Sequence, residues 1–241
     1  MLQTNTFSKS RREFMKKFIA RKEVLMTLGI IGVFAAMIIP DLLNIQDAEL
    51  SSDWNKVYSE INQATIKLAA ENGGSLKGLW TADGSETHTS IMEHYSKHLN
   101  IIKKCKGGQA ISSPNQTDRC WHSTSGDLVA HFMNGTILTD DYGGNYGSAS
   151  GGILSNGALL LFWGYENITN CPFPPLITTI YVDVNGYKGP NIVGKDIFRL
   201  YVLENSIKPC GTAGDTHYPM NTDCTASGDG FGCSAKYLYN R

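Results

Sequence analysis

The chain has 241 residues, of which 18% are charged, and its 21 basic and 22 acidic side chains almost cancel. The charge is unevenly divided, because residues 1–22 carry seven Lys or Arg against one Glu, while the rest of the chain carries a net charge of −7. A large acidic part without a basic stripe argues against a nucleic-acid-binding protein, and a basic tip before an apolar run argues against a simple cytosolic one.

An apolar run without a charged residue extends over 17 residues, from Val24 to Pro40. As a helix it would be about 25 Å long, a little short of the ~30 Å hydrocarbon core of a bilayer, and it predicts a membrane span over about 23–40. The basic flank predicts an N-terminus in the cytoplasm and everything after Asp41 outside it. We therefore predict a single-pass protein of the inner (cytoplasmic) membrane, with its head in the periplasm or outside the cell. A cleaved secretory signal is the alternative.

The helical pattern continues beyond the apolar run, which a signal peptide has no reason to do. Apolar residues recur there largely at spacings of three and four, up to a stop signal at Asn72-Gly73-Gly74. They are Leu43, Trp54, Val57, Tyr58, Ile61, Ala64, Leu68 and Ala69. We therefore predict one long helix over 23–73, half in lipid and half packed on a head, between a basic cytoplasmic leader over 1–22 and an exported head domain over 74–241.

The segment EVLMTLGIIGVFAAMIIP (23–40) resembles the N-terminal helix of type IV pilins and type II secretion pseudopilins. Glu23 and Pro40 match that family's glutamate and helix-kinking proline, and Gly29 and Gly32 fall where it has glycines. The match continues in KVYSEINQATIKLAAENGG. Two later segments, VDVNGYKGPNIVGKDIF and GFGCSAKYLYN, resemble bacterial prepilin-like proteins with large heads.

The resemblance implies a pilin-like subunit of a type II secretion or type IV pilus-type system, which assembles through its N-terminal helix. Its partners would be other pilin or pseudopilin subunits, an inner-membrane assembly platform and a prepilin peptidase. A carboxylate at the edge of lipid costs a few kcal/mol and is by default a functional hypothesis. The resemblance implies that Glu23 pairs with the amino terminus of a neighbouring subunit. Pairing with Arg21 or Lys22 at the headgroups is the alternative.

One departure from the family concerns processing. The family's peptidase cuts after a small residue five positions before the glutamate, and the new first residue is usually Phe. Here those places hold Phe18 and Ile19, and a bulky Phe18 should fit the cleavage pocket poorly. This departure favours the alternative function, a membrane-anchored extracytoplasmic binding or adhesion protein that does not polymerise. Arg11-Arg12 also lies in a segment that resembles a twin-arginine export motif.

The head is predicted to be α+β, with the N-terminal helix packed on a small antiparallel sheet. A period of three to four residues predicts a short helix over 90–105. Apolar runs bounded by Asn-Gly turns then predict strands over 127–133, 136–140, 151–154, 158–164, 178–184 and 196–203.

All six cysteines lie downstream of the apolar run, at Cys105, Cys120, Cys171, Cys210, Cys224 and Cys233. An even number in a small Gly-rich region is typical of exported proteins whose loops are held by disulfides. Six cysteines allow 15 connectivities, and sequence cannot choose among them. Closing the nearest loops gives Cys105–Cys120 and Cys224–Cys233 and leaves Cys171–Cys210.

Two groups of residues have the ligand types of a metal site, and each has a plainer interpretation. His94 and His98 stand one helical turn apart, with Cys105, Cys120 and His122 nearby, but a finger-like Cys pair is missing, so a solvated helix face is the better interpretation. Asp183, Asn185 and Asp196 supply the short oxygen ligands that calcium prefers, and the heads of major pseudopilins bind calcium. The fifth position is Tyr187, however, and the bidentate Glu of an EF-hand is absent. A tight hairpin is the alternative, so no cofactor is predicted and calcium stays open.

Catalytic motifs give no support for an enzyme. The sequence contains no Gly-x-Ser-x-Gly, no phosphate-binding loop and no His-Glu-x-x-His. We therefore predict that the chain acts by assembly or binding and not by catalysis.

Overall fold

The computed structural model of the protein describes Val24, Leu28, Ile45, Phe173 and residues 47–80, 87–107, 119–122, 129–138, 149–164 and 176–239. The chain divides into two units, residues 1–48 and 49–241.

The first helix, α1, is described over residues 47–71 and is amphipathic. Its buried apolar side chains follow one another at intervals of three and four residues and so form one stripe; they are Leu50, Trp54, Val57, Ile61, Ala64, Leu68 and Ala69. The helix ends at the predicted stop signal. There the Gly74 N–H donates to the Ala69 carbonyl at 2.7 Å, and Gly73 has a φ of 73°, which suits glycine best.

Within the described ranges, six strands form one antiparallel sheet in which every strand pairs with the next described strand along the chain. They are β1 (Ile101–Cys105), β2 (Ala149–Leu154), β3 (Leu159–Trp163), β4 (Leu176–Asp183), β5 (Ile197–Leu203) and β6 (Ile207–Pro209). In the β2–β3 hairpin, Ile153 lies opposite Leu159. Gly157, with a φ of 92°, lies in the turn between them and follows Asn156, as the sequence of many hairpin turns does.

Both faces of this sheet are buried. On one face, α1 and a second helix, α2 (Thr87–Tyr95), share a core with sheet residues such as Phe162 and Phe198. On the other face, Tyr181 and Tyr201 belong to a second core with Trp121 and Phe231. All eight residues of β4 are consequently buried, so this strand lacks the alternation of a sheet with one wet face.

Two short helices lie near the C-terminus, α3 (Met220–Asp223) and α4 (Cys233–Tyr239). The helix α4 packs against β5. Its first turn contains no acidic residue and begins with Cys233, which forms a disulfide with Cys224. The helix α4 thereby connects α1, which donates a hydrogen bond from Trp54 to the Ser234 carbonyl, to the strand β5.

The predicted fold class is wrong. The sheet has six strands and is covered on both faces, whereas the sequence predicted a small sheet under a long membrane-to-head helix. No helix in the described ranges is long and apolar enough to cross a bilayer. Of the span predicted over 23–40, only Val24 and Leu28 belong to those ranges. The localisation as a single-pass inner-membrane protein was derived from that span and is wrong with it.

Three predicted elements of the head also need correction. The helix predicted over 90–105 ends at Tyr95, because the β-branched pair Ile101-Ile102 opens β1, which is held in the sheet by its pairing with β2. Within the described residues 129–138, the predicted hairpin strands are reduced to isolated bridges, such as the one from His131 to Ile137. That segment contributes to the second core through Phe132 and Leu138 without extending the sheet.

Candidate functional site

The residues predicted to act in assembly and processing lie outside the described residues; they are Phe18, Ile19, Glu23, Gly29, Gly32 and Pro40. Three neighbours in the sequence are described. Val24, Leu28 and Ile45 are all helical, and their exposed fractions are 57%, 59% and 63%. Val24 and Leu28 are four residues apart, so they lie on the same side of a helix. Val24, Leu28 and Ile45 are therefore large apolar side chains with more than half of their surface exposed.

The buried stripe of α1 is fixed to the C-terminal segment of the chain. The Trp54 ring stacks on the Phe198 ring with centroids 4.5 Å apart, and the Trp54 Nε1–H donates to the Ser234 carbonyl at 2.9 Å. The Asn55 side-chain amide donates to the Tyr237 carbonyl at 3.3 Å. These contacts fix the rotation of α1 about its own axis, because the indole ring can stack and donate its hydrogen bond at the same time in only one orientation.

The opposite side of α1 is polar. Its exposed side chains include Ser52, Lys56, Ser59, Glu60, Gln63 and Lys67. Ile66 is a large apolar side chain among them, 52% exposed. This side of α1 therefore has the composition of an ordinary solvated helix face.

A buried polar cluster lies where the segment 119–122 meets the loop between β4 and β5. His122 Nε2 is 2.7 Å from Asp183 Oδ2, and both side chains are almost fully buried. Burial raises the pKa of the Asp183 carboxyl well above its ordinary value, although the backbone N–H groups of Asn185 and Gly186 act in the opposite direction. The Tyr187 hydroxyl donates to the Arg119 carbonyl at 2.9 Å and ties the same two segments together.

Asp196 completes this cluster from the start of β5. Its two carboxylate oxygens accept hydrogen bonds from the backbone N–H groups of Asn191 and Ile192, each at 2.7 Å. Burial, followed by the negative charge of Asp183, raises the pKa of Asp196 to about 7. The Asp196 carboxylate thus stabilises its own loop by accepting hydrogen bonds from the backbone of that loop, as an Asp in a tight turn does.

The residues predicted for calcium are therefore brought together in part. Asp183 and Asp196 lie close together, since the Val184 N–H donates to the Asp196 carbonyl at 3.0 Å. The carboxylate oxygens already accept hydrogen bonds from the protein, however. Among the described residues there is no group of three or more His, Cys, Asp or Glu placed to hold a metal ion. The buried Asn185 Oδ1 and Asn191 Oδ1 receive no hydrogen bond within the same part of the chain.

The histidines weighed for zinc have separate partners. His94 Nδ1 lies 2.8 Å from the Ser90 carbonyl, and His98 Nε2 lies 3.1 Å from Glu71 Oε2. Cys105 and Cys120 are joined in a disulfide, which removes both thiolates as ligands.

Among the described cysteines two disulfides are formed, and they are the two pairings that closing the nearest loops gives. Cys105–Cys120 has its Cα atoms 5.9 Å apart and Cys224–Cys233 has them 4.8 Å apart. The first joins β1 to the segment that carries His122. The second joins α3 to the start of α4.

Cys210 carries a free thiol that is fully buried, so the third pairing predicted from the sequence is not present at this residue. Cys171 lies outside the described residues. Burial raises the pKa of the Cys210 thiol, and the nearby Arg199 guanidinium only partly offsets that effect. The thiol is therefore protonated and unreactive in the folded protein.

A second buried cluster, which no local sequence pattern predicts, lies at the start of α2. His88 Nδ1 is 2.7 Å from Ser150 Oγ, and the Thr89 hydroxyl lies within 3.2 Å of both groups. A hydroxyl beside an imidazole can be a nucleophile and its base. Ser150 is fully buried, however, and His88 nearly so, and a substrate carbonyl could not reach the Ser150 oxygen.

Comparison with known proteins identifies no relative: no protein family, no curated protein and no solved structure matches this chain.

Proposed function

We propose that this chain is an assembly subunit of the pilin or pseudopilin kind, which acts in a type II secretion or type IV pilus-type system and is not an enzyme. In this proposal the N-terminal helical residues pack against those of other subunits. The observation that carries the proposal is the exposure of the helical side chains Val24, Leu28 and Ile45.

The exposed side chains supply a driving force for association. Burying a Leu or Ile side chain contributes about 1.5–3 kcal/mol. Leu28 and Ile45 each leave more than half of their side-chain surface exposed, and a monomer would gain nothing from them. Packing against the same helix of another subunit would bury this surface in both partners. Each such contact in a symmetric or repeating array would therefore gain the burial free energy of two side chains.

The head supports such a role because it holds α1 rigidly. The Trp54 Nε1–H donates a hydrogen bond to the Ser234 carbonyl, and Thr65 Oγ1 lies 2.7 Å from the Tyr95 hydroxyl in the same core. The described part of α1 therefore keeps one orientation against the core of its own head, as a subunit that packs in an ordered array requires.

The proposal is tested by charged substitutions in the full chain. We expect Leu28→Asp and Ile45→Asp to shift the purified protein from oligomers towards monomers in analytical ultracentrifugation, because each places an ionised carboxylate in the apolar contact. Ile102→Asp is the matched control, since Ile102 is 65% exposed and lies on β1 of the head. It should leave the distribution unchanged.

Two results would contradict the proposal. A wild-type chain that stays monomeric up to high concentration would favour the alternative suggested by Phe18, a binding protein that does not polymerise. Dissociation caused by Ile102→Asp but by neither N-terminal substitution would place the contact on the head. Circular dichroism of each variant confirms that the head is folded.

A further inference from the structure

No further inference is drawn: the strongest candidate, the buried cluster of His122, Asp183 and Asp196 at the loop that joins β4 to β5, is not placed to hold a metal ion in the part of the chain that the structure describes, and what remains of it rests only on the protonation of two carboxyl groups.

Discussion

Asp196 shows how one buried carboxyl group links pH to stability. Its pKa is raised from 3.8 to about 7, chiefly by burial, so the folded state keeps a proton that the unfolded chain releases near pH 4. The stability contributed by this group is therefore fully present below about pH 4 and is lost as the pH rises through about 7.

The Asp196→Asn substitution tests this linkage. The amide cannot ionise, so we expect the free energy of unfolding of the variant to depend less on pH between 5 and 7 than that of the wild type, by up to about 1.4 kcal/mol per pH unit. The substitution also removes an acceptor for the Asn191 or Ile192 N–H and should cost about 1–3 kcal/mol throughout. Urea unfolding at several pH values separates the slope from this offset. Parallel pH profiles of the two proteins would refute the linkage.

Cys210 gives a second prediction for a single residue. Because its thiol is buried and its pKa is raised, a maleimide at pH 8 should modify it far more slowly in the folded protein than in urea. Peptide mapping by mass spectrometry identifies the modified cysteine and separates it from Cys171. Equal rates in the folded and unfolded protein would show that the thiol is exposed.

At the scale of elements, α1 depends on Trp54. The Trp54→Ala substitution removes the stacking on Phe198 and the hydrogen bond to the Ser234 carbonyl and leaves a large cavity, so it should lower the free energy of unfolding by about 3–5 kcal/mol. Ile66→Ala in the same helix is the control, because Ile66 is half-exposed and should change stability by less than about 1 kcal/mol. Denaturant unfolding measures both. Similar losses in the two variants would mean that helix propensity, and not docking, controls the stability of α1.

The sequence revealed elements only where a pattern was strong. The spacing of Trp54, Ile61 and Leu68 indicates a helix, and the Asn156-Gly157 turn indicates the β2–β3 hairpin. The strand β1 was missed because IIKKC follows a helical segment and continues its three-to-four period, and only pairing with β2 makes it a strand. The strand β6 has three residues, too few for a period to be seen.

The two buried clusters could not be predicted from the sequence for a different reason. His88 and Ser150 are 62 positions apart in the sequence, although their side chains are within hydrogen-bond distance. The same holds for His122 and Asp183, which are 61 positions apart. Local spacing carries no signal for such pairs, whereas Asp183 and Asn185 were found because they share one turn.

At the scale of the whole molecule, the disulfides stabilise the side of the sheet that carries few regular elements. Removal of Cys105–Cys120 by a Cys105→Ser, Cys120→Ser double substitution should cost about 3 kcal/mol, the chain-entropy value for a loop of 15 residues. Removal of Cys224–Cys233, which closes a loop of 9 residues, should cost somewhat less. Thermal unfolding of the two variants and of the reduced wild type measures these effects. An unchanged melting temperature in both variants would show that packing alone holds these loops.

The hydrogen bond from Trp54 to Ser234 joins residues 180 positions apart, and this separation has a consequence for biosynthesis. A ribosome makes Trp54 180 residues before it makes Ser234, the α4 residue to which Trp54 donates its hydrogen bond. The strands between them can add one after another, because each pairs with its predecessor. The apolar stripe of α1 therefore lacks this contact until Ser234 has been made, and a nascent chain halted before Ser234 would display that stripe to any chaperone able to bind it.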